Sequence, residues 1–209
     1  MMETHLIAAA LGIAVLISAT TLRAQDVNVE KNRSSLFELS DAKLRGDARR
    51  EYRQFRRKAD YFGAFFANPS EKVGGAYWNA SNIESAERFA RQSCAHKSKS
   101  ASGCFLYAHI YPKRFDPSRA ELTLSRSANK DFREYLRLQD DDRFGAFAIS
   151  NNGASGYSWA EGSRGFAEQE AVKSCTKAIR KLARNMPNHL KDAVKNPDEQ
   201  ACRVIHWAR

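Results

Sequence analysis

The sequence contains an internal repeat, because residues 62–109 and 144–207 carry the same signals in the same order. The two copies are offset by 82 residues before a turn (Phe62 to Phe144) and by 81 after it (Cys94 to Cys175). Self-similarity at a fixed offset is typical of a duplicated supersecondary unit, so this feature constrains the fold more than any other. The shared signals are Phe-Gly-Ala-Phe (62–65, 144–147), a second apolar stretch ending in Trp (75–78, 156–159), Ala-Glu (86–87, 167–168), Ser-Cys (93–94, 174–175) and a closing cysteine (Cys104, Cys202).

Each copy is predicted to form a strand, a turn, a second strand, a helix and a third strand. The second copy turns at residues 151–153, Asn-Asn-Gly, a strong hairpin signal because these residues tolerate positive φ. Small residues recur every fourth position in each helix and give it a narrow face suited to packing closely on a sheet. The predicted fold class is therefore α+β, with an N-terminal basic helical segment followed by two tandem ββαβ modules. The small residues are Ala86, Ala90 and Cys94 in the first copy and Ala167, Ala171 and Cys175 in the second.

The rest of the chain divides around these repeats. Apolar residues at three- and four-residue steps predict helix from Ser35 to Ala59. The predicted segments are a signal peptide or anchor (1–24), a linker and basic amphipathic helix (25–59), the first repeat (60–111), a linker with a short helix (112–141), and the second repeat with a helical insertion (142–209).

The N-terminus resembles an export signal. Residues 6–22 are uncharged and mostly apolar, and cleavage is expected after Ala24 or Ala19. An uncleaved membrane anchor is the alternative, since a span needs about 20 apolar residues. A cleaved signal would leave no stable membrane span and place the protein in the periplasm or outside the cell.

The four cysteines fall as one pair in each repeat. The repeat makes pairing within each copy the economical choice, Cys94 with Cys104 and Cys175 with Cys202. A metal site is the rival interpretation, but neither C-x₂-C spacing nor nearby histidine ligands are present. Two structural disulfides would suit an oxidising compartment. No metal and no cofactor are expected.

The chain is basic, with a formal net charge of +10 and a pI near 9.6, which favours anionic partners. Two basic stripes are candidate sites for an anionic surface, and in the first Tyr52 and Phe55 lie alongside. The alternative is a helix packed by its apolar face, with the basic side chains in solvent. Nucleic acid is not expected as a partner. The candidate residues are Arg45, Arg49, Arg53 and Arg57 in the first stripe and Lys173, Lys177, Arg180 and Arg184 in the second.

Catalytic motifs are absent from the sequence: it has no nucleophile elbow, Walker loop or H-E-x-x-H helix. The remaining enzyme hypothesis is a hydrolase using His109 or His206 with Glu87 or Glu168. These histidines lie five and four residues after their cysteines, so they are not equivalent in the repeat. An active site duplicated with the fold should use matching residues, so the sequence favours a protein that is not an enzyme.

The quoted residues resemble a family of small secreted bacterial domains known only as a domain of unknown function. Its pattern is matched best by residues 144–148 (Phe-Gly-Ala-Phe-Ala), 156–159 (Gly-Tyr-Ser-Trp) and 202–204 (Cys-Arg-Val). The resemblance implies an exported protein with a disulfide-stabilised module, present here as two tandem copies. It implies no catalytic residue.

The function expected from the sequence is that of an exported, non-catalytic binding module. Its ligand would be another protein, such as a hydrolase that it inhibits or an envelope assembly, or an anionic envelope component. Two alternatives stay open, the histidine hydrolase and a cationic protein that associates with anionic surfaces.

Overall fold

A computed structural model describes Val27 and residues 34–113, 115–116, 118, 122–194 and 196–209. The predicted signal peptide or anchor and most of the linker after it lie outside the described residues. The described chain is a mixed α+β protein with two antiparallel sheets and two disulfides. Its elements are β1 (Ser34–Glu38), α1 (Gly46–Lys58), β2 (Phe62–Asn68), β3 (Val73–Ala80), α2 (Ile83–Lys97), β4 (Phe105–Pro112), α3 (Arg126–Arg137), β5 (Phe144–Ile149), β6 (Ser155–Glu161), α4 (Arg164–Asn185), α5 (Asn188–Val194), α6 (Pro197–Gln200) and β7 (Arg203–Ala208).

The two sheets have matching strand arrangements and matching irregularities. The order is β1-β4-β2-β3 in the first unit (residues 34–112) and β6-β5-β7 in the second (residues 122–208). In each hairpin the register shifts just after the first residue, Phe62 or Phe144. The pairing with the last strand shifts after Phe65 and after Phe147, which occupy the same place in the two copies. Matched positions can therefore be assigned residue by residue across both sheets.

A helix lies unusually close to each sheet, and glycine makes the approach possible. A Cβ on Gly75 would lie 2.1 Å from the Cys94 nitrogen, and one on Gly156 would lie 2.0 Å from the Cys175 nitrogen. Only glycine leaves room for a helix backbone at that distance. The predicted small-residue faces of α2 and α4 are fully buried there.

A second helix covers the opposite face of each sheet. Tyr52 and Phe55 of α1 pack against Phe65, and Phe132 and Tyr135 of α3 pack against Phe147. Segment 112–141, predicted as a linker with a short helix, therefore supplies α3 to the core of the second unit. Each sheet lies between two helices.

The predicted helix over 35–59 is wrong at its start. Residues 34–38 form strand β1, which pairs with β4, and α1 begins only at Gly46, whose φ is +53°. The strand alternates, with Leu36 packed towards α1 and Phe37 half exposed beside Tyr111. Pairing with β4, which is distant in sequence, outweighs the local helical spacing.

Candidate functional site

A cleft of about 580 Å³ lies between the two units. Its walls come from β3, from the turn between β5 and β6, and from the C-terminal half of α4 with the segment that follows it. Most of the lining is apolar. The principal apolar side chains are Trp78, Ala154, Ala178, Leu182, Met186 and Leu190. We call this the inter-unit cleft.

The polar rim of the cleft is built by the predicted Asn-Asn-Gly turn. Asn152 is buried, and its Oδ1 accepts hydrogen bonds from Ser150 Oγ at 2.6 Å and the Ala154 nitrogen at 3.3 Å. These bonds fix the turn, a use for which asparagine side chains are favoured. Asn152 Nδ2 is also buried, and no acceptor for it exists among the described residues. A buried donor without a partner costs about 1–3 kcal/mol of desolvation free energy. A ligand that brings an acceptor to this nitrogen would therefore be favoured.

Other polar groups in the cleft are already positioned by neighbours. Ser155 Oγ donates to Asp131 Oδ2 at 2.7 Å, which holds the carboxylate of α3 against β6. Ser125 Oγ donates to the Gly153 carbonyl at 2.8 Å and ties the start of α3 to the turn. The other polar residues of the lining are Lys181 and Asn185 of α4, Asn79 of β3, Ser93 of α2 and Ser127 of α3.

Both predicted disulfides are confirmed. Cys94 is bonded to Cys104 and Cys175 to Cys202, with a Cα–Cα distance of 6.1 Å in each. Each bond joins the buried helix face to the residue just before the closing strand. The longer second loop holds α5 and α6. Leu190 of α5 lines the inter-unit cleft, and both helices contact the first unit through His189 and Glu199.

The first basic stripe is exposed, but its aromatic neighbours are not. Tyr52 and Phe55 are buried against the first sheet, so they cannot reach an external surface. Arg56 lies over the Tyr52 ring, 5.9 Å from its centre. Four arginines on the outer side of α1 surround a shallow depression of about 520 Å³: Arg50, Arg53, Arg56 and Arg57. The predicted residues Arg45 and Arg49 are exposed but do not line it.

Part of the second basic stripe borders a groove between β6 and α4. The groove has a volume of about 760 Å³. Lys173, Lys177 and Arg180 lie on its helix side, and Trp159, which is 45% exposed, lies on its strand side. Arg184 is exposed further along α4 and does not line the groove. We call this surface the β6–α4 groove.

The structure brings His109 and Glu87 together. Glu87 Oε1 lies 2.8 Å from His109 Nε2, although the carboxylate is not aligned with the ring N–H, and the Tyr111 hydroxyl lies 2.9 Å from Nδ1. His109 is buried, and this burial lowers its pKa, against the opposing effect of Glu87. Neither residue lines any of the cavities described above.

His206 and Glu168 are not brought together. The Tyr135 hydroxyl lies 3.1 Å from His206 Nδ1, and burial lowers the pKa of this histidine. Glu168 instead accepts a hydrogen bond from Arg164 Nε at 2.7 Å. Strand pairing places His206 opposite Phe147, the position that Ala108 occupies opposite Phe65 in the first unit. The two histidines are therefore unmatched, and no group of three or more His, Cys, Asp or Glu within the described ranges is arranged to hold a metal ion.

None of the helices in the described part of the chain is both long and apolar enough to cross a membrane. No protein-family model matches the chain, and no curated protein or solved structure matches it either.

Proposed function

We propose that the protein is an exported, non-catalytic binding protein built from two copies of one ββαβ module. The matched register shifts, the matched Gly75 and Gly156, and one disulfide in each unit support the duplication. Structural disulfides are stable in oxidising compartments, which supports the periplasm or the extracellular space as its location. Membership of the secreted domain family stays a prediction from the quoted motifs.

We further propose that the inter-unit cleft is the ligand site. The observation that carries this proposal is the buried Asn152 Nδ2, which has no acceptor within the described chain beside a largely apolar cleft of about 580 Å³. Small-molecule sites are commonly concave, mostly apolar, about 300–1,000 Å³ in volume, and provided with a few placed polar groups. The ligand class that fits is a small, mainly apolar molecule with an acceptor oxygen for the Asn152 amide.

Catalysis is the weaker hypothesis because the chemistry and the cavity are in different places. His109 and Glu87 meet beneath α2, whereas the inter-unit cleft is lined by neither of them. A general base must come within hydrogen-bond reach of a bound substrate. The cleft itself offers Asp131, which already accepts from Ser155, and no histidine or cysteine among its described lining residues.

Association with anionic surfaces is the second candidate, and the arginine depression on α1 favours it. Four guanidinium groups around one depression would attract a polyanion, with an attraction that weakens as salt rises. The test is cosedimentation with phosphatidylglycerol vesicles at low and high salt. Loss of binding in an Arg50→Glu/Arg53→Glu/Arg57→Glu variant, which changes three arginines of the depression, would support this candidate, and salt-insensitive binding would exclude it.

The cleft proposal is tested with anilinonaphthalene sulfonate, a fluorescent probe with an apolar ring system and acceptor oxygens. Ala178 lines the cleft, whereas Ala183, five residues later on α4, packs against the same core without lining it. We expect saturable binding that Ala178→Leu weakens at least about fivefold, because the added side chain fills the site. Ala183→Leu should bind the probe as the unmodified protein does. Equal binding by the two variants, or no saturable binding, would contradict the proposal.

A further inference from the structure

The first unit carries a surface that holds a segment of the second unit. The surface is formed by β3 and α2, and its occupant is α5. The Gln92 side chain donates to the His189 carbonyl at 3.3 Å, and Ser93 Oγ lies 3.2 Å from His189 Nε2. The His96 ring stacks on the His189 ring at 4.5 Å with an angle of 7°. His189 is thus held by three side chains along one face of α2.

An ion pair and an apolar contact complete this docking. Arg88 of α2 binds the carboxylate of Glu199, which is almost fully buried. Tyr77 and Phe89, with ring centres 4.7 Å apart, pack into the apolar core of the second unit. The first unit therefore binds a short helix and an acidic side chain on its β3–α2 surface.

The β6–α4 groove is the matched surface of the second unit. With the offset of 81 residues, five of the six side chains of the first unit's docking surface fall on residues that line the groove, and the sixth, Arg88, falls on Gln169, which does not line it. Nothing in the described part of the chain fills this groove, and β6 is an edge strand of its sheet. The matched pairs are Tyr77 and Ser158, Phe89 and Glu170, Gln92 and Lys173, Ser93 and Ser174, and His96 and Lys177. Trp159 also lines the groove; its match, Trp78, packs against Phe55 of α1 instead.

The charges of the matched surface differ: Arg88 is replaced by Gln169, Phe89 by Glu170, and the two neutral side chains beside His189 by lysines. The two side chains that hold His189, Gln92 and His96, correspond to Lys173 and Lys177. Lys173 is paired with Glu170 at 3.0 Å. Lys177 has no ion-pair partner within the described ranges, and neither does Arg180, one turn further along α4. The unpaired Lys177 and Arg180 side chains, beside an exposed tryptophan, would complement carboxylates on an amphipathic partner.

A second copy of this chain is a poor occupant. Its α5 is already bound to its own first unit, so it would have to leave that site to reach the groove of another molecule. An occupant from a different protein meets no such competition.

We propose that the β6–α4 groove binds a short acidic segment of another protein, which lies along α4 beside Trp159 as α5 lies along α2. A carboxylate at the position of His189 would lie between Lys173 and Lys177, which are one helical turn apart on the same face. This surface is separate from the inter-unit cleft, so either proposal can fail without the other.

The test uses a fluorescein-labelled peptide of residues 186–200 carrying His189→Glu, with a His189→Lys peptide for comparison. We expect the glutamate peptide to bind the purified protein and the lysine peptide to bind at least about tenfold more weakly, because it places like charges together. Lys173→Glu/Lys177→Glu should reduce binding of the glutamate peptide by about tenfold or more. The matched control, Arg49→Glu/Arg53→Glu on α1, makes the same change in charge and should leave binding unchanged.

Three outcomes would overturn the proposal. The first is no binding of the glutamate peptide at about 1 mM and low salt, where even weak complexes form. The second is equal loss in the α4 and α1 double variants, which would show a non-specific effect of charge. The third is that the α4 variant still binds the peptide but no longer binds phosphatidylglycerol vesicles or no longer self-associates. Loss of vesicle binding would assign the groove to lipid, and loss of self-association would assign it to a second copy.

Discussion

The two units share strand order and register shifts, but matched positions carry different side chains. In the first unit, His109 on the closing strand meets Glu87 of α2. The matched residue of the second unit is Trp207, which pairs with Ala146 as His109 pairs with Ala64. Arg164 lies 3.9 Å from the centre of the Trp207 ring and also binds Glu168, the match of Glu87. Glu87 and Glu168 occupy the same position, but Glu87 contacts a histidine and Glu168 binds an arginine.

We infer from this difference that the repeated features serve the fold and that the differing ones are the candidates for function. The glycines, disulfides and register shifts recur in both units. The β3–α2 surface is occupied by α5, whereas the matched β6–α4 groove is open and basic. Strand β1 pairs with β4, and β7 has no such neighbour in the described part of the second sheet. The proposed binding role of the β6–α4 groove, beside the docking role of the β3–α2 surface, would account for this asymmetry.

Removing each disulfide separately gives the largest expected effect. The sequence separations of 10 and 27 residues predict losses of about 2.7 and about 3.5 kcal/mol in the free energy of unfolding. Urea denaturation of Cys94→Ala/Cys104→Ala and Cys175→Ala/Cys202→Ala measures both. A larger loss in the free energy of unfolding for Cys94→Ala/Cys104→Ala than for Cys175→Ala/Cys202→Ala would contradict this ranking.

Alanine at the matched glycines tests whether the two helix–sheet contacts are equivalent. Gly75→Ala and Gly156→Ala should each reduce stability by about 2–3 kcal/mol, because the new methyl group would meet helix backbone. Gly162→Ala is the control, since nothing lies within 4 Å of a Cβ at that position. If urea denaturation shows that only one of the two variants loses stability, the two helix–sheet contacts are not equivalent.

Acid should reduce the stability of each unit through a buried histidine, His109 in the first and His206 in the second. Burial holds the His109 pKa below its usual value near 6.5, so the unfolded chain takes up a proton before the folded one does. The stability that this neutral histidine contributes is therefore full above about pH 6.5 and is lost as pH falls below it. His109→Gln should make stability less dependent on pH between about 7 and 5, measured as urea midpoints against pH. An unchanged dependence would exclude His109 as a contributor.

The matched carboxylates give the smallest expected difference. Glu168→Ala should reduce stability by about 0.5 kcal/mol, as is usual for an exposed i,i+4 pair on a helix. Glu87→Ala should reduce it by about 1 kcal/mol, because it removes the charged partner of a buried histidine. Equal losses in urea denaturation would show that the His109 contact adds nothing beyond a surface pair.

Local signals predicted much of this fold. Short motifs at a constant offset predict the order of strands and helix within each repeat, and they predict both disulfides. Strand β1 was missed because its conformation depends on pairing with β4, about 70 residues away. The role of α3 as the counterpart of α1 was missed although a signal for it exists: residues 51–55 (Glu-Tyr-Arg-Gln-Phe) and 131–135 (Asp-Phe-Arg-Glu-Tyr) match at an offset of 80.

The candidate sites were harder to predict because they depend on tertiary contacts. The inter-unit cleft joins β3, the β5–β6 turn and α4, and no sequence signal shows that they meet. The β6–α4 groove did leave a signal. Aligning the copies at the offset of 81 places Lys173 and Lys177 on Gln92 and His96, a change from neutral to cationic side chains. Only the structure shows that these positions hold α5 in one unit.

The central proposal is that the β3–α2 surface is filled by α5 and that the matched β6–α4 groove is open. A crystal structure with the His189→Glu peptide bound tests it most directly. The account predicts that the peptide lies in the β6–α4 groove, with its glutamate between Lys173 and Lys177. Superposing α2 on α4 should then place α5 on the peptide. A peptide bound elsewhere, or a groove already filled by the protein's own chain, would contradict the account.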